Sequence, residues 1–243
     1  MEERTMQHPN AILSLLDPII LDKILPHLIS ASLARGEVIA ETERHLSKVY
    51  FPHSGVISCV VELAAGSAIE TAMIGRDGQF GAGLALNGQL SSSHVVMQIA
   101  GDVSIASASR VVDLAQENPA FRRILLGYEQ FCLAQAQQTA GCNAVHRVAQ
   151  RMAKWLLRMN HLVGDEFSMT QEFMAQMLGV RRTSVTDTAT ELQRLGLITY
   201  NRGNMKLNNL KLIHDFACEC DDDLMDRYRM IFPKSAESSS GQT

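Results

Sequence analysis

The sequence predicts an α+β fold in three parts: an N-terminal β-barrel or jelly roll, a long central helix, and a C-terminal winged helix-turn-helix. Three observations carry that prediction. Between residues 36 and 101, short runs rich in β-branched residues are punctuated by Gly36, Gly55, Gly66, Gly78, Gly88 and Gly101 at strand-plus-turn spacing. Residues 119–159 show sustained helical periodicity without a strong breaker. Residues 170–207, TQEFMAQMLGVRRTSVTDTATELQRLGLITYNRGNMKL, read as two helices across a tight turn and then a hairpin. The implied division is 10–118, 119–145, 146–214 and an acidic, serine-rich tail over 215–243.

Length and composition set the frame. The 243 residues are enough for two modest cores, and 46% apolar content is ordinary for a globular chain. No apolar run of about 18 residues is present to span a membrane. The opening MEERTMQHPN lacks a basic segment leading into an apolar one, so the expected compartment is the cytoplasm. Cys59, Cys132, Cys142, Cys218 and Cys220 are odd in number and irregularly spaced, which suits free thiols rather than a disulfide framework.

Taken in order, residues 10–29 show helical apolar spacing, with Asp17 placed to cap and Pro18 and Pro26 marking short helices. Strand-like runs follow at 38–39, 49–51, 56–63, 68–74 and 95–99. Several short strands at such intervals suggest a barrel or jelly roll. Over the long helical stretch, positions a and d can be written Phe121, Ile124, Tyr128, Phe131, Gln135, Gln138, Cys142 and Val145, continuing to Ala149 and Met152. That seam predicts a two-fold dimer, with Gln135 and Gln138 setting register. A helix packed on its own domain is the other reading. Gly141-Cys142-Asn143 is a candidate hinge, and Trp155, Leu156 and Met159 are candidate core beyond it.

In the C-terminal part Thr170 is an N-cap, Phe173, Met174, Met177 and Leu178 recur at helical spacing, and Gly179 ends the first helix. The second helix starts near Arg182. Val185, Ala189, Leu192 and Leu195 fall on its packing side, while Arg182, Thr183, Thr186, Asp187 and Thr190 fall on the other. Asn201-Arg202-Gly203-Asn204 has hairpin-turn chemistry and puts Arg202 at the tip of a wing. The residues assigned to duplex DNA are Thr170, Gln171, Arg181, Arg182, Thr183, Ser184, Thr186, Asp187 and Arg202. Residues 210–216 suggest a closing helix.

Charge distribution agrees with that assignment. The chain is acidic overall at −4, yet residues 146–214 hold ten Lys and Arg against five Asp and Glu, a local +5.

The segment Gly179-Val180-Arg181-Arg182-Thr183-Ser184-Val185, with the wing after it, resembles the DNA-binding domain of the Crp/Fnr superfamily of bacterial transcription regulators, and the likeness extends over most of the chain. It implies a homodimer on a palindromic operator, RNA polymerase as a further partner, and an N-terminal cyclic-nucleotide-binding-like sensor. In the catabolite activator branch the recognition helix carries an Arg-Glu pair and a second Arg five positions after the first. Here Arg182 matches the first Arg, Thr183 replaces Glu, and Asp187 replaces the second Arg. The usual half-site sequence is therefore not implied.

The sensor departs from the family in the same way. Nucleotide-binding members hold the phosphate with a helix after a Gly-Glu-Leu segment and with an Arg-Ser pair. The matching stretch here is Phe80-Gly81-Ala82-Gly83-Leu84 and then Gln89-Leu90-Ser91-Ser92-Ser93-His94, with no Lys or Arg between Arg76 and Arg110. A cyclic phosphate buried without a cation would be left largely uncompensated, so cyclic AMP is not expected to bind. Gly81, Ala82, Gly83, Leu84, Ser92, Ser93 and His94 remain a candidate pocket for an unidentified anion or neutral effector, or a pocket that has lost its ligand.

Cys218-Glu219-Cys220 beside Asp221-Asp222-Asp223 offers a metal- or redox-responsive alternative, or else an accident of a solvated acidic tail. No third Cys or His with zinc-like spacing follows, so no metal or cofactor is expected. The eight histidines form no recognisable pairing with a Ser or Cys nucleophile, which argues against an enzyme. A module whose helix-turn-helix meets protein instead of DNA is the remaining alternative.

Overall fold

Asn10 starts the first helix, Ala11–Ser14 (α1), by accepting from the Leu13 amide, and Asp17 starts Pro18–Ile24 (α2) by accepting from Ile19. The computed structural model describes residues 8–64 and 68–233; Gly66 and the serine-rich end, which the sequence suggests is disordered, lie outside them. The first strand, Ile29–Leu33 (β1), was not evident in the sequence because it follows the helical run directly. Then come Val38–Ala40 (β2), Lys48–Pro52 (β3), Val56–Glu62 (β4) and Ala68–Ile74 (β5). A short helix, Ala82–Asn87 (α3), precedes His94–Ile99 (β6) and Gly101–Ser107 (β7). All pairings are antiparallel, in two sheets ordered β1-β7-β3 and β2-β6-β4-β5. Val49, Phe51, Ile57, Val95, Met97 and Val103 share one core between them, and the sheets do not close into a barrel.

Ala108–Glu117 (α4) leads into the 27-residue Pro119–Val145 (α5), which Asn118 caps by accepting from Phe121 at 2.9 Å. The seam expected on α5 is corrected here. Phe121, Tyr128 and Phe131 are fully buried in the protomer's own core, and Gln135 accepts from the Met73 amide of β5 at 3.0 Å. Ile124 packs at the edge of that core, Gln138 is half-buried, and Cys142 is buried. Of the eight, Val145 is the one left exposed. The side of α5 that is open carries Leu126, Gln130, Leu133, Gln137, Ala140 and Ala144, at alternating steps of four and three. A helix that packs on its own sheet is apolar along that stripe whether or not it also pairs, and periodicity cannot tell the two apart.

The hinge is also displaced. Gly141, Cys142 and Asn143 lie within α5, and the chain becomes extended at His146 and Arg147 before Val148–Val163 (α6). Next come Glu166–Ser168 (β8), Gln171–Leu178 (α7), Arg182–Arg194 (α8), Ile198–Asn201 (β9), Asn204–Leu207 (β10) and Leu210–Phe216 (α9). β8 joins the expected hairpin as a third strand in the order β8-β10-β9. Trp155, Leu156, Met159, Met174, Val185, Ala189 and Leu192 form the second core with Val56, Val60 and Met73 of the sheets. Leu195, expected in that core, caps α8 and is exposed, because the helix ends before another turn can cover it.

Where an acidic tail was expected, Cys220–Ile231 (α10) packs on α5. Leu224, Tyr228 and Phe232 are buried, with the Tyr228 ring edge-on to Phe131 at 5.0 Å. Asp221, Asp222 and Asp223 occupy the first turn, where carboxylates favour the helix dipole, and the apolar residues come one turn later.

Candidate nucleic-acid interface and sensor site

Thr170 accepts from the Phe173 amide at 3.2 Å and so starts α7, and Gly179 ends it in the left-handed conformation at φ 62°. These two ends set how α8 crosses α7. One side of α8 is anchored by Val185, Ala189 and Leu192, with Thr188 also buried. Arg181, Arg182, Thr183, Thr186, Asp187 and Thr190 are exposed together on the other, and Ser184 is half-buried between them. Gln171 reaches across from α7, its Oε1 accepting from the Thr186 hydroxyl at 2.8 Å. Arg182 lies 4.0 Å from Glu172, a separation at which an exposed pair contributes little and the guanidinium stays free to turn outward.

The wing has the geometry that its turn residues demand. Arg202 and Gly203 both have positive φ, 48° and 84°, between the paired Asn201 and Asn204, which is the two-residue turn that matches strand twist. The Met169 amide donates to the Gly203 carbonyl at 2.6 Å, and the Tyr200 hydroxyl donates to the Met169 carbonyl, so the hairpin is held against the entry to α7. Arg202 is exposed at its tip.

The candidate effector residues are not arranged as an open pocket. Gly81, Ala82 and Gly83 are buried, Leu84, Ser93 and His94 are half-buried, and Ser92 is exposed. The two amides best placed to hold an anion are already taken. Ala82 donates to Gln79 Oε1 at 3.0 Å, and Gly83 donates at 3.1 Å to the Glu129 carboxylate of α5, which also accepts from Gln79 Nε2 at 2.9 Å. A Cβ at position 83 would lie 2.5 Å from Glu129, so only glycine lets the carboxylate come this close. Burial pushes the Glu129 carboxyl up from its ordinary range. Sequence reasoning missed this residue because it arrives from another element, 46 positions away.

A second polar cluster joins the sheets to α6. Glu70 accepts from Ser58 at 2.6 Å and from the Trp155 indole at 2.9 Å, and burial raises its pKa from 4.5 to about 7. Arg158, 2% exposed, donates to Asp77 at 2.6 Å and to the Met73 carbonyl, and lies over the Phe131 ring. Arg151 donates to the Leu178 carbonyl at the end of α7.

Residues 150–215 match the family model described as a Crp-like helix-turn-helix domain. Among solved structures, a Crp/Fnr-family transcriptional regulator from Thermus thermophilus is 25% identical with a TM-score of 0.62, covering 78% of this chain and 98% of that one. Its C-terminal part is a Crp-like helix-turn-helix domain. Two other solved structures share its fold: FixK2 from Bradyrhizobium japonicum, at 18% identity and TM-score 0.65 over 79% of this chain and 98% of that one, and the c-di-GMP-responsive regulator CLP from Xanthomonas campestris, at 16% and 0.62 over 79% and 100%. No curated protein matches in sequence. The chain is a DNA-binding transcription regulator with an N-terminal effector-binding-type domain. Among its described residues, no helix is long and apolar enough to cross a membrane.

Proposed function

We propose that the protein acts in the cytoplasm as a homodimer that reads a palindromic operator with the exposed side of α8, and that it is a binding protein rather than an enzyme. The observation that carries this is the division of α8 itself: Val185, Ala189 and Leu192 are buried, while Arg181, Arg182, Thr183, Thr186 and Asp187 are exposed around its N-terminal turns. A helix N-terminus entering the major groove puts such side chains at base edges. Arg182 is suited to a guanine and Asp187 to a cytosine amine, while Arg202 on the wing and the helix-end hydroxyls Thr170 and Thr183 follow the phosphates. RNA polymerase is a further partner implied by the family.

The pairing surface in this reading is the open stripe of α5. Leu133 is half exposed at its centre, and Gln137, Ala140 and Ala144 continue it at heptad spacing. Two such helices related by a two-fold axis would set half-site centres about 34–36 Å apart. Leu133→Glu places like charges across that stripe and is expected to convert the dimer to monomer in sedimentation; a variant that stays dimeric would refute this surface. In this reading cyclic nucleotides are not the effector, because Gln79 and Glu129 already take the Ala82 and Gly83 amides and leave no donor there for a phosphate.

A further inference from the structure

We propose that Cys142, His146, Cys218 and Cys220 are the four ligands of a tetrahedral divalent-metal site of the zinc type. The three thiol sulfurs and one imidazole nitrogen lie within 4.8 Å of one another. Cys142 Sγ is 3.6 Å from Cys218 Sγ, and Cys220 Sγ is 3.5 Å from His146 Nδ1. In a tetrahedral zinc site, bonds of about 2.3 Å to sulfur and about 2.0 Å to nitrogen put ligand atoms roughly 3.8 Å apart for two sulfurs and roughly 3.5 Å for sulfur and nitrogen. A disulfide would need about 2.05 Å. Cys142 with Cys218 and Cys220 with His146 are thus already near the spacing that one small cation imposes, and the whole donor set lies within about an ångström of it.

The surroundings fit the same reading. The three cysteines are buried as a group apart from both apolar cores, so hydrophobic packing does not explain their meeting. With Nδ1 turned to the thiols, the other ring nitrogen of His146 stands 3.3 Å from Glu219, the carboxylate partner that orients metal-bound imidazoles. Three thiolates and a neutral imidazole around a dication carry a net charge of −1. Arg151 interacts electrostatically with Cys142 and Cys218, and Lys154 with Cys142, so cations stand near enough to offset it. The ligand set is soft and Cys-rich, which selects zinc over magnesium or calcium.

The site also has a mechanical consequence. Cys142 and His146 lie at the end of α5, where the chain breaks before the DNA-binding domain, Cys218 comes from the link between α9 and α10, and Cys220 is the first residue of α10. A bound metal ties that pivot to α10. The sequence hides the site because its ligands are split 76 and 74 residues apart, with Cys142 and His146 far upstream of Cys218 and Cys220.

The test is cobalt substitution of the full-length protein, stripped of metal by a chelator under anaerobic reducing conditions and titrated with Co(II). One equivalent per chain is expected, with intense tetrahedral ligand-field bands and a thiolate-to-cobalt charge-transfer band, both bleached by one equivalent of Zn(II). Cys142→Ser and Cys220→Ser should each remove charge-transfer intensity, and Cys59→Ser should leave it unchanged. Should the ligand variants fail to fold, Glu219→Gln, an exposed position, should weaken affinity about 10–100-fold while keeping the spectrum. Substoichiometric binding, weak octahedral bands, a Cys142–Cys218 disulfide in anaerobically purified protein, or an iron–sulfur chromophore would each overturn the proposal.

Discussion

The N-terminal ends of α3 and α8 occupy comparable positions, each a helix start with polar groups around it, and the protein treats them in opposite ways. At α3 the amides of Ala82 and Gly83 are satisfied from within by Gln79 and Glu129, and the region is closed. At α8 the groups around Arg182 have little internal use and face outward. The contrast extends to the charges nearby. Glu70 and Arg158 are buried, Glu129 is half-buried, and together they hold sheets, α5 and α6, whereas Arg182, Asp187 and Arg202 are exposed. In the proposed reading, polar residues on the sensor side therefore act on stability, and those on the exposed side of α8 act on binding.

The strongest way to break the contrast is at Arg158. Removing it leaves Asp77 without its partner in a largely buried site, which typically costs about 3–5 kcal/mol. Arg158→Ala should lower unfolding free energy by that amount in a denaturant titration. A change below about 1 kcal/mol would show that the contact between sheets and α6 is not held by this pair.

Glu70 gives a pH-dependent version of the same effect. Its folded-state pKa is raised from 4.5 to about 7, so between those values the folded protein keeps a proton that the unfolded chain has lost. Stability attributable to Glu70 therefore falls as pH rises through that window, by about 3 kcal/mol in all, and is level above it. Compared at pH 5 and pH 8, wild type should lose stability relative to Glu70→Gln. Parallel pH curves for the two proteins would contradict the burial argument.

On the open side the effects are smaller and appear in affinity. Arg182→Ala should cost about 1–3 kcal/mol on the preferred site and relax preference at one base pair per half-site. Arg202→Ala should weaken all duplexes alike and reduce the salt slope by about 1. If the two variants behave identically, the division between base contact and backbone contact is wrong.

The winged helix was legible in sequence because its signals are local: Thr170, Gly179, Val185 and the Asn201-Arg202-Gly203-Asn204 turn lie within one short segment. The sheets were legible as a class, but β1 was hidden behind a helical run and β8 is only three residues long. On α5 the seam was not legible, because Phe121, Tyr128 and Phe131 satisfy the heptad pattern while packing inward. Glu129 at the α3 amides and the meeting of Cys142 and His146 with Cys218 and Cys220 depend on contacts between distant elements, which no local pattern encodes.

An open DNA face, joined to a nucleotide site that the protein's own carboxylate closes, is the central claim. Its most direct test is selection of bound duplexes from a random pool, followed by measurement of affinity for the enriched site across salt concentrations, with and without cyclic AMP. The expected result is a two-fold symmetric site with half-sites about 34–36 Å apart, a log-linear loss of affinity with salt, and no response to the nucleotide. Failure to enrich any symmetric site, or a shift of about tenfold or more in affinity on adding cyclic AMP, which is about 1.4 kcal/mol, would contradict it.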